Sequence, residues 1–349
     1  MEIRDALSEL MAGRGLGEVG AEALFSRMLE GSLDDAQIGA VLALIQARGP
    51  SVDEIVGAAR VMRRHVTPTP APDDPRRPVI DTCGTGGAPK TFNVSTAAAI
   101  VIAGARPDAA SGIDRVLVAK HGNRSRTGRG SAEVLASLGV DVDAPPEVQA
   151  RCLDEVGVCF CFAIRHHPAT RHAAGVRQSL GVPTLFNLLG PLTNPAGARR
   201  QLLGVWDAKF VGPLAQALAR LGSERAWVVH SRDGLDELSL GDETLVGSVD
   251  HGRVEMERVD PRGLGLRCAT PDQLRARDVE DAAQMIRAIL AGEDSAAADM
   301  TVLSAGAALL LGGAVGTLEE GIMLARASIA SGSAAQALAG LARLSHERV

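Results

Sequence analysis

The stretch from Val79 to Ala105, VIDTCGTGGAPKTFNVSTAAAIVIAGA, limits the possible folds of this chain more than any other. It reads as strand, glycine loop and helix. An apolar run ends at Asp81, Gly84-Thr85-Gly86-Gly87 can take backbone conformations closed to other residues, and Ser95-Thr96 open an apolar helix. Such a loop leaves N–H groups unpaired at a helix N-terminus, where the macrodipole also favours negative charge. Phosphate is its natural occupant, with Asn93, Ser95 and Thr96 as added side-chain donors.

The loop is not a standard nucleotide motif. Read as G-x-x-x-x-G-K-[ST] from Gly84 to Thr91, it has Pro89 where the second glycine belongs, and read as G-x-G-x-x-G it fails at the same residue. A glycine turn that merely lets a helix pack on a sheet would have the same composition. Other stretches must decide.

A chain of 349 residues, 46% hydrophobic, can bury a sizeable core in one large domain or two. Only 2% is aromatic and no Tyr occurs, so Ala, Val, Leu and Ile must fill that core. A net charge of −6 gives no electrostatic reason to expect nucleic acid or an anionic membrane surface. No apolar run reaches membrane-spanning length, and the charged, amphipathic start at Met1 is unlike a signal peptide, so a soluble, cytoplasmic protein is expected. Five cysteines without a C-x-x-C pair suit reduced thiols, and Cys159 and Cys161, two apart in an apolar run, read as strand core. His166, His167 and His172 lack the spacing and the companion ligands of a zinc site.

Residues 1–65 show apolar positions at helical spacing, from Ala21, Leu24, Phe25 and Met28 through Ile38, Val41, Leu42, Leu44 and Ile45 to Ile55, Ala58, Val61 and Met62. Ser51 with Glu54 matches a capping box. This helical unit is free of catalytic motifs and suits packing or dimerisation. A proline-rich connection spans 66–78, and from 79 to 349 strand-like runs (79–83, 116–119, 226–230) alternate with helical stretches, as in an α/β domain.

Three further clusters follow. Lys120-His121-Gly122-Asn123-Arg124-Ser125 groups fixed cations with directional donors, which suits a ligand bearing phosphate and hydroxyls. Arg177, a planar fork for a carboxylate, precedes an apolar run broken at Gly190-Pro191 and Asn194-Pro195, where Leu188, Leu189 and Leu192 are expected to form a rigid wall against a flat ring. Asp233-Gly234-Leu235-Asp236-Glu237 follows an apolar strand, and such hard carboxylates suit Mg²⁺ held together with substrate phosphate. All four asparagines, in a chain with only three lysines, fall inside these motifs or the opening one.

Taken together, GTGG with TFNVSTA, KHGNRS, VRQSLG through NLLGPLTNP, and DGLDE resemble, in order and over nearly the whole length, the anthranilate phosphoribosyltransferase family. The resemblance implies a small all-helical N-terminal domain that mediates a homodimer, joined to a larger α/β domain of the nucleoside phosphorylase/phosphoribosyltransferase type, with the site between them. It implies that Gly84, Gly86, Gly87, Thr91, Asn93, Ser95, Thr96, Lys120 and Ser125 hold 5-phosphoribosyl 1-diphosphate. Gly84, His121, Asn123, Arg177, Gly190 and Pro191 would hold anthranilate, and Ser95, Asp236 and Glu237 the Mg²⁺. Ala88 stands where the family's loop carries an acidic residue, and 106–115 lengthens the connection to KHGNRS. Two other functions fit parts of the pattern: a pyrimidine nucleoside phosphorylase, or a non-catalytic relative that binds nucleic acid or another partner.

Overall fold

The computed structural model describes residues 1–125 and 128–348. Four helices come first, α1 (Ile3–Met11), α2 (Gly17–Leu29), α3 (Asp35–Arg48) and α4 (Val52–Arg64). Every apolar position picked out by helical spacing is buried except Leu44, which is half-buried. The Ser51 box forms in both directions: Ser51 Oγ accepts the Glu54 N–H at 3.2 Å, and the Glu54 carboxylate accepts the Ser51 N–H at 2.9 Å. Glu54 does more than cap. It is fully buried, accepts the Leu16 N–H at 3.1 Å and pairs with Arg48, so it ties the start of α2 to the α3–α4 turn.

Residues 66–78 hold no helix or strand, as five prolines within 67–78 require. Their backbone is anchored instead to the larger unit, Thr67 N–H donating to the His166 carbonyl at 2.8 Å and Thr69 N–H to that of Pro195 at 3.1 Å.

Beyond this connection lies one seven-stranded sheet. Its strands are β1 (Val79–Gly84), β2 (Leu117–Gly122), β3 (Val158–Phe162), β4 (Arg200–Gly204), β5 (Arg225–Ser231), β6 (Thr244–Asp250) and β7 (Arg253–Val259), in the order β3-β2-β1-β4-β5-β6-β7. The first five are parallel, and β6 and β7 add an antiparallel edge. Helix α5 (Val94–Gly104) follows β1, and α6 (Ser131–Ser137) and α7 (Pro146–Arg151) lie between β2 and β3. Between β3 and β4 come α8 (Ala163–His166), α9 (Arg171–Leu180) and α10 (Leu185–Leu189), and α11 (Val211–Arg220) joins β4 to β5. Four helices close the chain: α12 (Val279–Leu290), α13 (Ala296–Leu311), α14 (Leu318–Ala330) and α15 (Ser333–Ser345).

Alternate strand residues serve two cores, one on each sheet face. Leu202, Trp227 and Val229 join the core built with α5, α6 and α12 to α15, whereas Leu203, Ala226 and Val228 join one shared by α11, α9, α10 and the N-terminal helices. Leu188, Leu189 and Leu192 are buried in that second core. The expected wall against a ring is therefore a packing surface against the helical unit. Cys159 and Cys161 lie side by side on β3, their sulfurs 3.8 Å apart in the core.

β1 lies between β2 and β4, so the chain turns to opposite sides of β1 after its first and later crossovers. At such a switch point the carboxyl ends of two neighbouring parallel strands, here Gly84 and its register partner Gly204, leave a crevice between diverging connections. Three strands, β4, β6 and β7, were not expected from the sequence. β4 is five residues of mixed character, RQLLG, and β7, RVEMERV, is an exposed charged edge without a buried face to mark it.

Replacing Glu54 by Ala is expected to unpair Arg48, strand the Leu16 N–H and remove the α4 cap. Chemical denaturation should show a loss of about 3 kcal/mol, and an unchanged midpoint would refute the linking role of Glu54.

Candidate active site

The glycine loop leaves β1 at Gly84, where the Thr85 N–H and hydroxyl both donate to the Gly204 carbonyl, at 2.9 and 3.2 Å. Gly86 and Gly87 have φ of +66° and +103°, which side-chain-bearing residues rarely adopt. The loop enters α5 through Asn93, which occupies the N-cap without a side-chain capping bond. Thr96 Oγ1, buried in the first turn of α5, has no hydrogen-bond partner among the described residues. A buried hydroxyl without a partner at a helix N-terminus that lacks a side-chain cap suits a phosphate.

Lys120, at the end of β2, is buried, and its ammonium donates to the Thr82 carbonyl at 2.6 Å and to Ser95 Oγ at 3.0 Å. Thr82 Oγ1 in turn donates to the Ser95 carbonyl at 3.1 Å. One cation thereby joins β1, β2 and the start of α5. Burial lowers the pKa of Lys120, opposed by the neighbouring acidic groups of Asp81, Cys83 and Glu237.

Asp236 and Glu237 arrive from the turn after β5. A Cβ on Gly84 would come within 3.1 Å of Asp236 Oδ2, and one on Gly204 would collide with the Asp236 carbonyl at 1.7 Å. At Gly204 only glycine lets the acidic turn reach the crevice, while at Gly84 a Cβ would press on the Asp236 carboxylate. Burial and then the Asp236 charge push the Glu237 carboxyl up to about 8, against the pull of Lys120 and of the Ser95 N–H. Asp236 is raised as well, by burial foremost. Two crowded carboxyl groups, one of them on the Ser95 N–H, are hard oxygen donors of the kind that fit Mg²⁺ bound jointly with substrate phosphate.

His121 is buried beside Lys120, with its Nε2 3.2 Å from Nε2 of His167 and the two rings tilted at 5.1 Å. Burial, followed by the neighbouring His167 and His166, holds His121 well below its ordinary pKa, while the Gly190 backbone opposes this. His167 falls to about 4, through burial and then His166. The pair therefore shares one N–H donor and one bare nitrogen at neutral pH. Asp81 Oδ1 accepts the His121 N–H at 3.0 Å from beneath.

The remaining expected residues have local partners of their own. Ser125 Oγ accepts from the Lys90 ammonium at 2.6 Å, so the KHGNRS loop touches the glycine loop. Asn123 is exposed and accepts the Arg124 N–H, Thr91 is buried with its hydroxyl on the Phe92 carbonyl, and the Pro191 carbonyl accepts from Gln201 at 2.7 Å. Arg177, on α9, stacks over Phe186 of α10 with 4.9 Å from Cζ to the ring centroid. His172 lies against Gly31 of the helical unit, away from the His121–His167 pair, and no three metal-ligating side chains converge among the described residues. Thr82, Asp81 and His167 were not anticipated as site residues. A carboxylate inside an apolar strand was the available signal for Asp81; for Thr82, which acts through its carbonyl, there was none.

Comparison with known proteins bears directly on this crevice. Residues 4–66 match the helical bundle domain, and residues 76–335 the a/b domain, of the Glycosyl transferase family. The anthranilate phosphoribosyltransferase of Rubrobacter xylanophilus is 47% identical, with 98% of this chain and 97% of that protein covered. That of Methylobacterium radiotolerans is 46% identical, over 99% and 96%. The crystal structure of the Thermus thermophilus enzyme superposes with a TM-score of 0.88 at 39% identity, covering 98% of this chain and all of that one. The Saccharomyces cerevisiae enzyme in complex with PRPP and Mg shares the fold, with a TM-score of 0.86 at 23% identity over 98% and 97%. These matches favour neither a nucleoside phosphorylase nor a non-catalytic relative. With both of its parts matched in order, and with full-length relatives near half identity, the chain belongs to the anthranilate phosphoribosyltransferase family.

Proposed function

We propose that the crevice at the ends of β1 and β4 performs the family's reaction, transfer of the phosphoribosyl group of 5-phosphoribosyl 1-diphosphate to the amine of anthranilate with release of pyrophosphate. The observation that carries the assignment of roles is the meeting of Lys120, Ser95 and Glu237 at the uncapped start of α5. In this reading the glycine loop (Gly84, Gly86, Gly87), Thr91, Asn93, Ser95, Thr96, Lys120 and Ser125 bind the phosphoribosyl donor. Asp236, Glu237 and Ser95 hold Mg²⁺, which when bound offsets charge on the departing diphosphate.

The nucleophile is a neutral aromatic amine, so the site has more need to position it than to deprotonate it. His121, Asn123, Gly84, Arg177, Gly190 and Pro191 are placed around anthranilate. The stack on Phe186 restricts the Arg177 guanidinium, which lowers the entropy lost when it meets a carboxylate. His121, uncharged because of its burial beside His167, contributes hydrogen bonding without repelling the positive charge that develops at the ribose carbon. Lys120 and the dipole of α5 receive the charge that leaves with pyrophosphate.

We also propose that residues 1–65 mediate a homodimer, with 66–78 as connection and 79–349 as the transferase unit. Supporting this, Val19 and Met11 on the helical unit are 82% and 69% exposed, apolar side chains that a partner would cover. A cytoplasmic location accords with five thiols that form no disulfide, and no helix is long and apolar enough to cross a membrane among the described residues.

The decisive assay follows anthranilate fluorescence in the presence of 5-phosphoribosyl 1-diphosphate and Mg²⁺. Consumption coupled to pyrophosphate release is expected; activity only with a nucleoside and inorganic phosphate would overturn the reading. Arg177→Ala should raise KM for anthranilate by about ten- to 150-fold, the range of one charge-assisted hydrogen bond, with kcat less affected. An unchanged KM removes Arg177 from the site. Converting Asp236 and Glu237 to their amides should lower kcat by about 100-fold or more and alter the Mg²⁺ requirement, whereas normal metal dependence in the double variant would rule out both as ligands.

The histidine pair yields a pH prediction. His167 has a folded pKa of about 4 against an ordinary value of 6.5, so the unfolded chain binds the extra proton between these limits. Its contribution is fully present above pH 6.5 and is lost as pH falls toward 4, about 3 kcal/mol in all. Denaturation midpoints measured from pH 7 to 4 should fall less steeply in His167→Gln than in the parent; parallel curves would contradict the assignment.

A further inference from the structure

Gly190 and Pro191, assigned above to anthranilate, lie in a turn whose carbonyls are held from several directions. The Thr193 hydroxyl is shared between the Leu189 and Gly190 carbonyls, at 3.2 and 2.9 Å. The Pro191 carbonyl accepts from Gln201 Nε2 and the Leu192 carbonyl from Arg63 Nε, both at 2.7 Å. Gln201 is a buried residue of β4, whereas Arg63 stands in the last turn of α4, 129 residues before Leu192. The other arm of the Arg63 guanidinium donates to the Leu221 carbonyl at 2.9 Å, at the C-terminal end of α11. One side chain of the helical unit thereby fixes the turn relative to α11.

An arginine so placed is costly. Burial, and then the neighbouring Arg60, lower its pKa, and no carboxylate pairs with it among the described residues. The partial negative charge at the end of α11 is its compensation. Leu189 and Leu192 are seated in the second core, but Pro191 between them backs onto a cavity of about 170 Å³ that Arg63, Gln201 and Leu221 also line. On that side the turn is held by hydrogen bonds where filling atoms are missing, and without those bonds Pro191 has room to retreat.

We propose that Arg63 and Gln201 are positioning residues for the acceptor substrate: by holding two consecutive carbonyls they set the level of the Gly190-Pro191 step, and so the clearance left for the anthranilate ring. The inference rests on the functional reading above and extends it to two residues outside the motifs that carry it.

The test combines steady-state kinetics of the full-length protein, on anthranilate and on its ring-methylated analogues, with calorimetric titration of 5-phosphoribosyl 1-diphosphate and Mg²⁺. Arg63→Ala and Gln201→Leu should each raise KM for anthranilate about tenfold, as the loss of one such hydrogen bond allows. Preference for anthranilate over its methylated analogues should fall by about tenfold, the low end of what one methyl group contributes. Donor binding should stay within about twofold of the parent. Arg63→Lys keeps the charge but not the two-armed fork, and should recover only part of the loss. Unchanged KM and preference in both variants, or an equal weakening for donor and anthranilate, would overturn the proposal while leaving the functional reading intact. Should Arg63→Ala fail to fold, Gln201→Leu, which nearly conserves volume, decides alone. A parent protein that does not consume anthranilate would overturn the functional reading and the proposal with it.

Discussion

The buried ammonium of Lys120 is the interaction on which the site depends. A lysine taken out of water costs several kcal/mol unless its hydrogens find acceptors and its charge finds opposites. Here the Thr82 carbonyl and Ser95 Oγ take two of its three N–H bonds, and the acidic groups of Asp81 and Glu237 lie near enough to oppose the effect of burial. Because these acceptors come from β1 and α5 while the lysine comes from β2, satisfying the cation fixes three elements against one another. In the proposed function the third N–H would meet a ligand oxygen, so that stability and binding would draw on a single arrangement.

The sheet order places that arrangement where a ligand can reach it. With β1 between β2 and β4, the connections diverge above Gly84 and Gly204, and the absence of a Cβ on either lets the Asp236 turn occupy the gap from the β5 side. An alanine at Gly204 would have to displace the Asp236 backbone itself. Cations from β2 and carboxylates from the turn after β5 therefore face one another across the start of α5, as a diphosphate bound jointly with a divalent cation requires.

Much of this was legible before any coordinates. The glycine loop, KHGNRS and the DGLDE turn each carry residue types whose chemistry points to phosphate or metal, and their strand-end positions follow from the apolar runs that precede them. Helix spacing located α2, α3 and α4 because their buried apolar residues recur three and four apart, whereas α1 was not singled out. Other features depend on partners distant in sequence and leave no local mark. β7 is paired on one side only and exposed, so its residues RVEMERV show no buried alternation. Leu188, Leu189 and Leu192 looked like a ligand wall because apolar residues between glycine and proline breaks are ambiguous; the neighbour that decides their role is the helical unit more than 100 residues earlier. Thr82 escaped for a related reason, since its backbone carbonyl matters more than its side chain.

The His121–His167 contact shows how the second core conditions the chemistry of the first. His167 stands at the end of α8, where the chain leaves β3 for the helices that pack on the N-terminal unit, and Thr193 Oγ1 reaches its Nε2 at 3.5 Å from beyond α10. Any change in how α9 and α10 seat against α2, α3 and α4 must therefore move the ring that borders His121. Of the residues assigned to anthranilate, Arg177 rides on α9 and Gly190 and Pro191 follow α10, whereas Gly84, His121 and Asn123 belong to the ends of β1 and β2. Those assigned to the phosphoribosyl donor are carried by the sheet. In the proposed assignment anthranilate would therefore meet both packing units and the donor mainly one, so the rigidity of one unit relative to the other would set how closely amine and ribose carbon align.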